Sequence, residues 1–154
     1  MNTILEEFLT LEEILNSFDG LEKNFNWLLT DLEWSEPDEY LEYFEDYSQN
    51  KFWITGENLK KLADEEGFYL IWGVLSAFDK NEKISLEDIK EEPFADGNPN
   101  FWVENPKIQH PKATVELVFW DSSYILLLSK DDDFTIKFRS TYDGCLDLNS
   151  YNQS

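Results

Sequence analysis

One segment limits the possible folds more than any other: Phe68-Tyr69-Leu70-Ile71-Trp72-Gly73-Val74-Leu75-Ser76-Ala77-Phe78. It is continuously apolar, rich in aromatics, and bounded by Gly67 and Asp79, which predicts a buried strand. It is too short to span a bilayer, which takes about 20 apolar residues. A buried strand needs a sheet and a core around it. The 154 residues, 42% hydrophobic and 16% aromatic, supply enough material for one domain with a real interior.

The flanking patterns fill in the plan. Thr3-x-x-Glu6 and Thr10-x-x-Glu13 both read as capping boxes at helix starts. After the second, Leu11, Ile14, Leu15 and Phe18 form one helical stripe. Phe25, Trp27 and Leu29 alternate as in a strand, although Phe25, Leu28, Leu29 and Leu32 also suit a helix. Ser35-Glu36-Pro37-Asp38 predicts a helix opening, with Tyr40, Phe44 and Tyr47 on one face and carboxylates on the other. Phe52-Trp53-Ile54 reads as a short strand, and Thr55 as the N-cap of a helix that turns Leu59, Leu62 and Ala63 inward and stops at Gly67.

From 79 to 111 the prolines at 93, 99, 106 and 111 predict an irregular connection, with Ser85 capping a short helix near Ile89. The region 113–142 reads as a β-meander. Val115, Leu117 and Phe119 alternate, Asp121-Ser122-Ser123 turns, and Tyr124 to Leu128 returns. Asp131-Asp132-Asp133 then turns again, and Phe134, Ile136 and Phe138 alternate in a third strand. The expected fold is a single α+β domain with a mostly antiparallel sheet, a C-terminal β-meander, helices packed on one face, and an acidic helical part over 1–50.

Charge bears on function. Lysine and arginine number 12 against 33 aspartates and glutamates, a formal net charge of −21. Residues 1–50 carry 14 of the acids and one base, Lys23, so the negative field belongs mainly to the N-terminal third. Such a surface repels polyphosphate, and Arg139 is the one arginine, so direct binding to nucleic acid or to an anionic membrane is disfavoured. It attracts a basic protein instead, with salt-sensitive steering. One Cys and one His cannot furnish a zinc site, an iron–sulfur cluster or a disulfide scaffold, and no cofactor or metal is expected. The N-terminus lacks the basic and apolar regions of a secretory signal, so a cytoplasmic location is expected.

The densest constellation runs from 31 to 47. Its candidate partner-binding residues are Asp31, Glu33, Trp34, Asp38, Glu39, Glu42, Tyr43, Glu45 and Asp46. A helix here holds Asp38, Glu42 and Glu45 close together with no lysine at i+4 to relieve them, which local stability does not explain. An interface explains it, because tyrosine and tryptophan supply rigid contact area while carboxylates pair with a basic partner. A solvated amphipathic helix with inward tyrosines accounts for the same pattern. Asp131-Asp132-Asp133 is most simply a turn, and could extend the acidic footprint. The stretch Asp79 to Asp88 has the ring of a calcium loop but lacks its glycine and its length. His110 and Cys145 sit in no catalytic motif, and the chain has no phosphate-binding loop or nucleophile elbow.

The stretches Phe52-Trp53-Ile54-Thr55-Gly56-Glu57-Asn58-Leu59 and Phe68 to Phe78 resemble small bacterial immunity proteins that partner polymorphic toxins. The resemblance implies a role, a cytoplasmic inhibitor that binds one cognate toxin, often a nuclease, and assigns no residue. The charge points the same way, since a nuclease must be basic around its cleft. The expectation is a non-catalytic acidic binding protein. Its rivals are a DNA mimic that blocks a nucleic-acid-binding protein, a carboxylate-based or metal-dependent enzyme, and a halophilic surface.

Overall fold

The computed structural model describes residues 1–34 and 37–154. Its strands are β1 (Asn2–Leu5), β2 (Phe25–Trp34), β3 (Asp46–Ser48), β4 (Lys51–Thr55), β5 (Leu70–Asp79), β6 (Val115–Trp120), β7 (Tyr124–Ser129) and β8 (Leu146–Asp147). They form one antiparallel sheet in the order β3-β4-β2-β5-β6-β7-β1-β8. The apolar run Phe68 to Phe78 supplies most of β5, a central strand, and the first strand of the chain is inserted near the far edge. The result is one α+β domain whose sheet draws on strands from both ends of the chain.

Three helices cover one face: α1 (Leu11–Phe18), α2 (Gly56–Ala63) and α3 (Asp132–Thr141). Ile14, Leu15 and Phe18 of α1, Leu59 and Leu62 of α2, and Phe134 and Phe138 of α3 bury against Trp27, Leu29, Leu75, Leu117 and Leu127 of the sheet. Each buried side chain of this size contributes roughly 1.5–3 kcal/mol of transfer free energy. The caps follow from sequence: the Thr10 hydroxyl accepts the Glu13 N–H at 3.2 Å while the Glu13 carboxylate accepts the Thr10 N–H at 3.0 Å. Thr55 caps α2 through the Asn58 N–H at 3.1 Å. Gly56 is required by close approach: a Cβ there would stand 2.0 Å from the Glu22 carbonyl oxygen and 2.7 Å from Lys23 Cα.

The opposite face is covered by the connection between β5 and β6 and by the six-residue helix α4 (Leu148–Gln153). Ala95, Phe101 and Leu148 pack on Ile4, Val74, Val118 and Leu126, while Leu86, Ile89 and Ala113 pack on Leu28 and Phe78. Phe101 is buried and Trp102 half-buried against Trp120 at 5.0 Å, so this aromatic pair pins the connection to the sheet. No helix among the described residues is long and apolar enough to cross a membrane.

Several expectations are corrected. The segment after Asp131 is a helix, and the meander over 113–142 is a hairpin followed by α3: Asp131 caps α3 by accepting the Asp133 N–H at 2.9 Å. Phe134 and Phe138 are buried while Ile136 is 54% exposed, so the apolar spacing is i, i+4 and not strand alternation. Thr3-x-x-Glu6 is no capping box, because Asn2–Leu5 pairs between β7 and β8. The α2 helix ends at Ala63 with Asp64 as its cap, short of Gly67. The part over 1–50 is less helical than expected, since it contributes β1, β2 and β3.

The helix expected over Tyr40 to Tyr47 is a 3-10 helix over Pro37–Tyr43, after which the chain straightens into β3. Its opening at Ser35-Glu36 lies outside the described residues. The competing structure is the β3–β4 hairpin: Tyr47 pairs with Phe52, their rings stacked at 6.3 Å, and Ser48 pairs with Lys51 across Gln49-Asn50. A helix that held Asp38, Glu42 and Glu45 together gives up stability to like-charge repulsion, and the hairpin does not ask for it.

Candidate functional site

At the β3–β4–β2 edge of the sheet, the aromatic side chains from this region close over one another. Trp34 lies 5.2 Å from Phe52, 5.9 Å from Phe44, 6.2 Å from Tyr40 and 6.3 Å from Phe68, centroid to centroid. Most of these contacts are edge-to-face, the arrangement ring quadrupoles favour. Beside this wall opens a cleft of about 670 Å3. Leu32, Trp34, Leu41 and Phe52 supply apolar lining, Asp31, Asp38 and Glu92 supply carboxylates, and Tyr47, Gln49, Asn50, Pro93 and Phe94 complete the described lining. No lysine or arginine is among them. The volume lies within the roughly 300–1,000 Å3 usual for ligand clefts.

The far wall is a built structure. Asp31 has φ +52° at an irregularity in β2, and its Oδ2 accepts the N–H groups of Ala95 at 2.8 Å and Asp96 at 3.0 Å. The buried Thr30 hydroxyl donates to the Pro93 carbonyl at 2.6 Å. Gln109 grips Phe94 at both main-chain groups: its Oε1 accepts the Phe94 N–H at 3.0 Å and its Nε2 donates to the Phe94 carbonyl at 3.1 Å. Gln109 is itself held by the fully buried Glu116, which accepts the Gln109 N–H at 2.6 Å and Nε2–H at 2.7 Å. Burial pushes the Glu116 carboxyl up to about 7 against these two lowering hydrogen bonds.

The predicted residues divide by position. Asp31, Trp34 and Asp38 meet at the cleft, and Asp31 spends its carboxylate on holding the wall. Glu33 is exposed on β2, and Glu39 and Glu42 are exposed on the 3-10 helix. Tyr43 is half-buried and donates its hydroxyl to Glu65, which pushes the phenol up to about 12. Glu45 and Asp46 are exposed where the chain enters β3, with the Glu45 N–H donating to the Trp53 carbonyl at 2.9 Å. The ion pairs Lys60–Asp64, Lys80–Glu57, Lys137–Asp19 and Arg139–Asp147 lie elsewhere and engage none of Asp38, Glu42, Glu45 and Asp46.

Sequence reasoning missed Glu92 and Phe94. They come from the irregular connection, and only the fold carries it to β2. The proline spacing marked it as a loop and nothing more. The acids Asp131 to Asp133 follow β7, with β5 and β6 between them and β2, so they do not extend this footprint. His110 packs edge-on against Phe78 at 4.9 Å, and burial lowers its pKa. Cys145 packs against the core under the helices, where burial pushes its thiol up to about 11. The two contact opposite faces of the sheet and cannot act as a nucleophile–base pair. Asp79 accepts the Asn81 N–H at 2.9 Å, an ordinary turn at the end of β5. Among the described residues no group of three His, Cys, Asp or Glu side chains is placed to hold a metal ion.

No protein-family model matches the chain, and neither a curated protein nor a solved structure shows significant similarity to it.

Proposed function

We propose that this chain is a non-catalytic binding protein that inhibits a basic protein partner, in the manner of a cytoplasmic immunity protein neutralising a nuclease-type toxin. The observation that carries the reading is one of placement without structural need. Asp38, Glu42, Glu45 and Asp46 are exposed along the short segment that leads into β3, with Asp38 in the lining of the aromatic-walled cleft, and among the described residues none of the four makes an ion pair with a lysine or the arginine. Carboxylates exposed in this way attract a cationic partner and steer it toward this edge of the sheet. The tyrosine and tryptophan beside them offer the rigid area that slows dissociation.

The test begins with the basic protein that co-purifies with the chain at low salt. The reading requires that this protein be toxic when expressed alone and harmless when the chain is present. Replacing Asp38, Glu39, Glu42 and Asp46 with their amides should slow association by about tenfold or more at low salt, with less effect at high salt. Unchanged association would refute the reading. Equal binding to several unrelated basic proteins would favour a DNA mimic.

A further inference from the structure

We infer that the cleft beside Trp34 is the seat for a partner segment carrying an arginine or lysine next to an apolar side chain, and that Phe94 is its anchor. This rests on the reading above that the partner is a basic protein, and adds where and how it is held.

Three features of the cleft lead there. First, Phe94 is 42% exposed, although its backbone is held by three side-chain hydrogen bonds. Both its main-chain groups are bonded to Gln109, and the Asn98 side chain, itself buried, donates to the same carbonyl at 2.9 Å. Buried Glu116 fixes Gln109 in turn. A chain that spends a buried carboxyl on holding one turn, and then leaves that turn's phenylalanine in water, gains nothing for its own fold. For binding it gains preorganisation, because a ring on a fixed backbone loses little freedom when a partner covers it. Second, Tyr47, which also lines the cleft, is 50% exposed, so two exposed aromatic rings belong to it. Third, the acids Asp38 and Glu92 line the cleft, with no base among the described lining residues. Lys51, at the base of β4, directs its ammonium to the carbonyls of Leu86 and Ile89.

The occupant follows from that combination. Nucleic acid is repelled by the walls. A purely apolar ligand leaves Asp38 and Glu92 unused, and a simple cation leaves Phe94 and Tyr47 unused. A guanidinium is planar, stacks on aromatic faces and pairs with carboxylates, and an adjacent apolar side chain covers Phe94.

The experiment uses the full chain and a defined probe, a blocked tripeptide with arginines flanking a leucine. Its binding is followed by the amide resonance of Phe94 and the indole resonance of Trp34. Saturable shifts at both are expected, with none from the corresponding glutamate tripeptide. Phe94→Ala and Glu92→Gln should each weaken binding by about fivefold or more, with unchanged melting midpoints. Gln109→Ala should weaken it although Phe94 is retained, because the ring is then no longer held. Shifts spread evenly over the acidic surface, or equal binding by Phe94→Ala, would overturn the inference. With the natural partner the two failures separate. If Phe94→Ala leaves its dissociation rate unchanged while the four-amide variant slows association, the cleft assignment falls alone. If neither variant has an effect, the basic-partner reading falls with it.

Discussion

Glu116 makes stability depend on pH in a direction that can be worked out from its surroundings. The side chain is fully buried on β6, between Ser76 of β5 and Leu128 of β7 in register, and its two oxygens each accept a hydrogen bond from Gln109. Burial raises its pKa from an ordinary 4.5 to about 7. Because the folded value is the higher, the group's contribution is fully present below the unfolded value and is lost as pH rises through the folded value. At about 1.4 kcal/mol per pH unit, the loss totals about 3 kcal/mol. About 2 kcal/mol of it should fall between pH 5.5 and pH 8, a range that stays clear of the sequence pI near 4.1. Other groups add their own pH dependence, so the comparison must be with Glu116→Gln, which shares that background. Gln in this place keeps one acceptor and sets an amide against the Gln109 amide, a fixed penalty with no pH dependence. Denaturant unfolding followed by tryptophan fluorescence at constant ionic strength gives the two curves. Their difference should change by about 2 kcal/mol across the range. Parallel curves would refute the reasoning, whatever their vertical offset.

Further outcomes follow from the same structure. Gly56→Ala should destabilise by about 3 kcal/mol or more, measured by denaturant titration, because its Cβ would meet main-chain atoms that cannot move aside. Asp31→Ala should cost about 2 kcal/mol and speed hydrogen exchange at Ala95 and Asp96, whereas Asp31→Asn, which keeps an acceptor, should cost less. Ser76→Ala should be neutral or stabilising by up to about 1 kcal/mol, since the buried Ser76 hydroxyl finds no hydrogen-bond partner among the described residues. Added salt should raise the melting midpoint up to about 0.2–0.3 M and little beyond, because screening of surface repulsion is then largely complete. A midpoint that keeps climbing in molar salt would point to a halophilic surface.

Sequence was legible where one periodicity had no competitor. The Thr10 capping box, the stripe of α1, the Thr55 cap and the apolar run of β5 each announce a single structure, and each forms. The strand reading of Phe25 to Leu29 holds because Trp27 and Leu29 reach the core under the helices while Leu28 reaches the other side. Legibility failed where two periods shared the same residues. Phe134, Ile136 and Phe138 fit a strand by alternation and a helix by i, i+4, and the Asp131 cap decides. Tyr40 to Tyr47 reads as a helix until the pairing of Tyr47 with Phe52 is known, and that contact is tertiary. The cleft was half legible for the same reason. Asp31, Trp34 and Asp38 lie in one acidic stretch, but Glu92 and Phe94 arrive from some sixty residues away through the Asp31 and Gln109 hydrogen bonds, as in the Ala95–Asp31 bond spanning 64 residues.

The fold also separates the acids that build it from those that do not. Glu13, Asp131 and Asp147 cap helices, Asp31 and Glu116 hold the connection, and Glu57 and Asp64 pair with lysines. Each of these would be needed at any net charge. Asp38, Glu42, Glu45 and Asp46 are different: among the described residues they make no ion pair, and all four are exposed on the short segment that runs from the 3-10 helix into β3. Solubility would be served as well by acids dispersed over the surface. The rigid turn under Phe94 repeats the pattern in apolar form, a group held in water by buried hydrogen bonds. Asp38 and Phe94 line one cleft, and a cationic protein surface with an apolar side chain laid over it would turn both into favourable contacts.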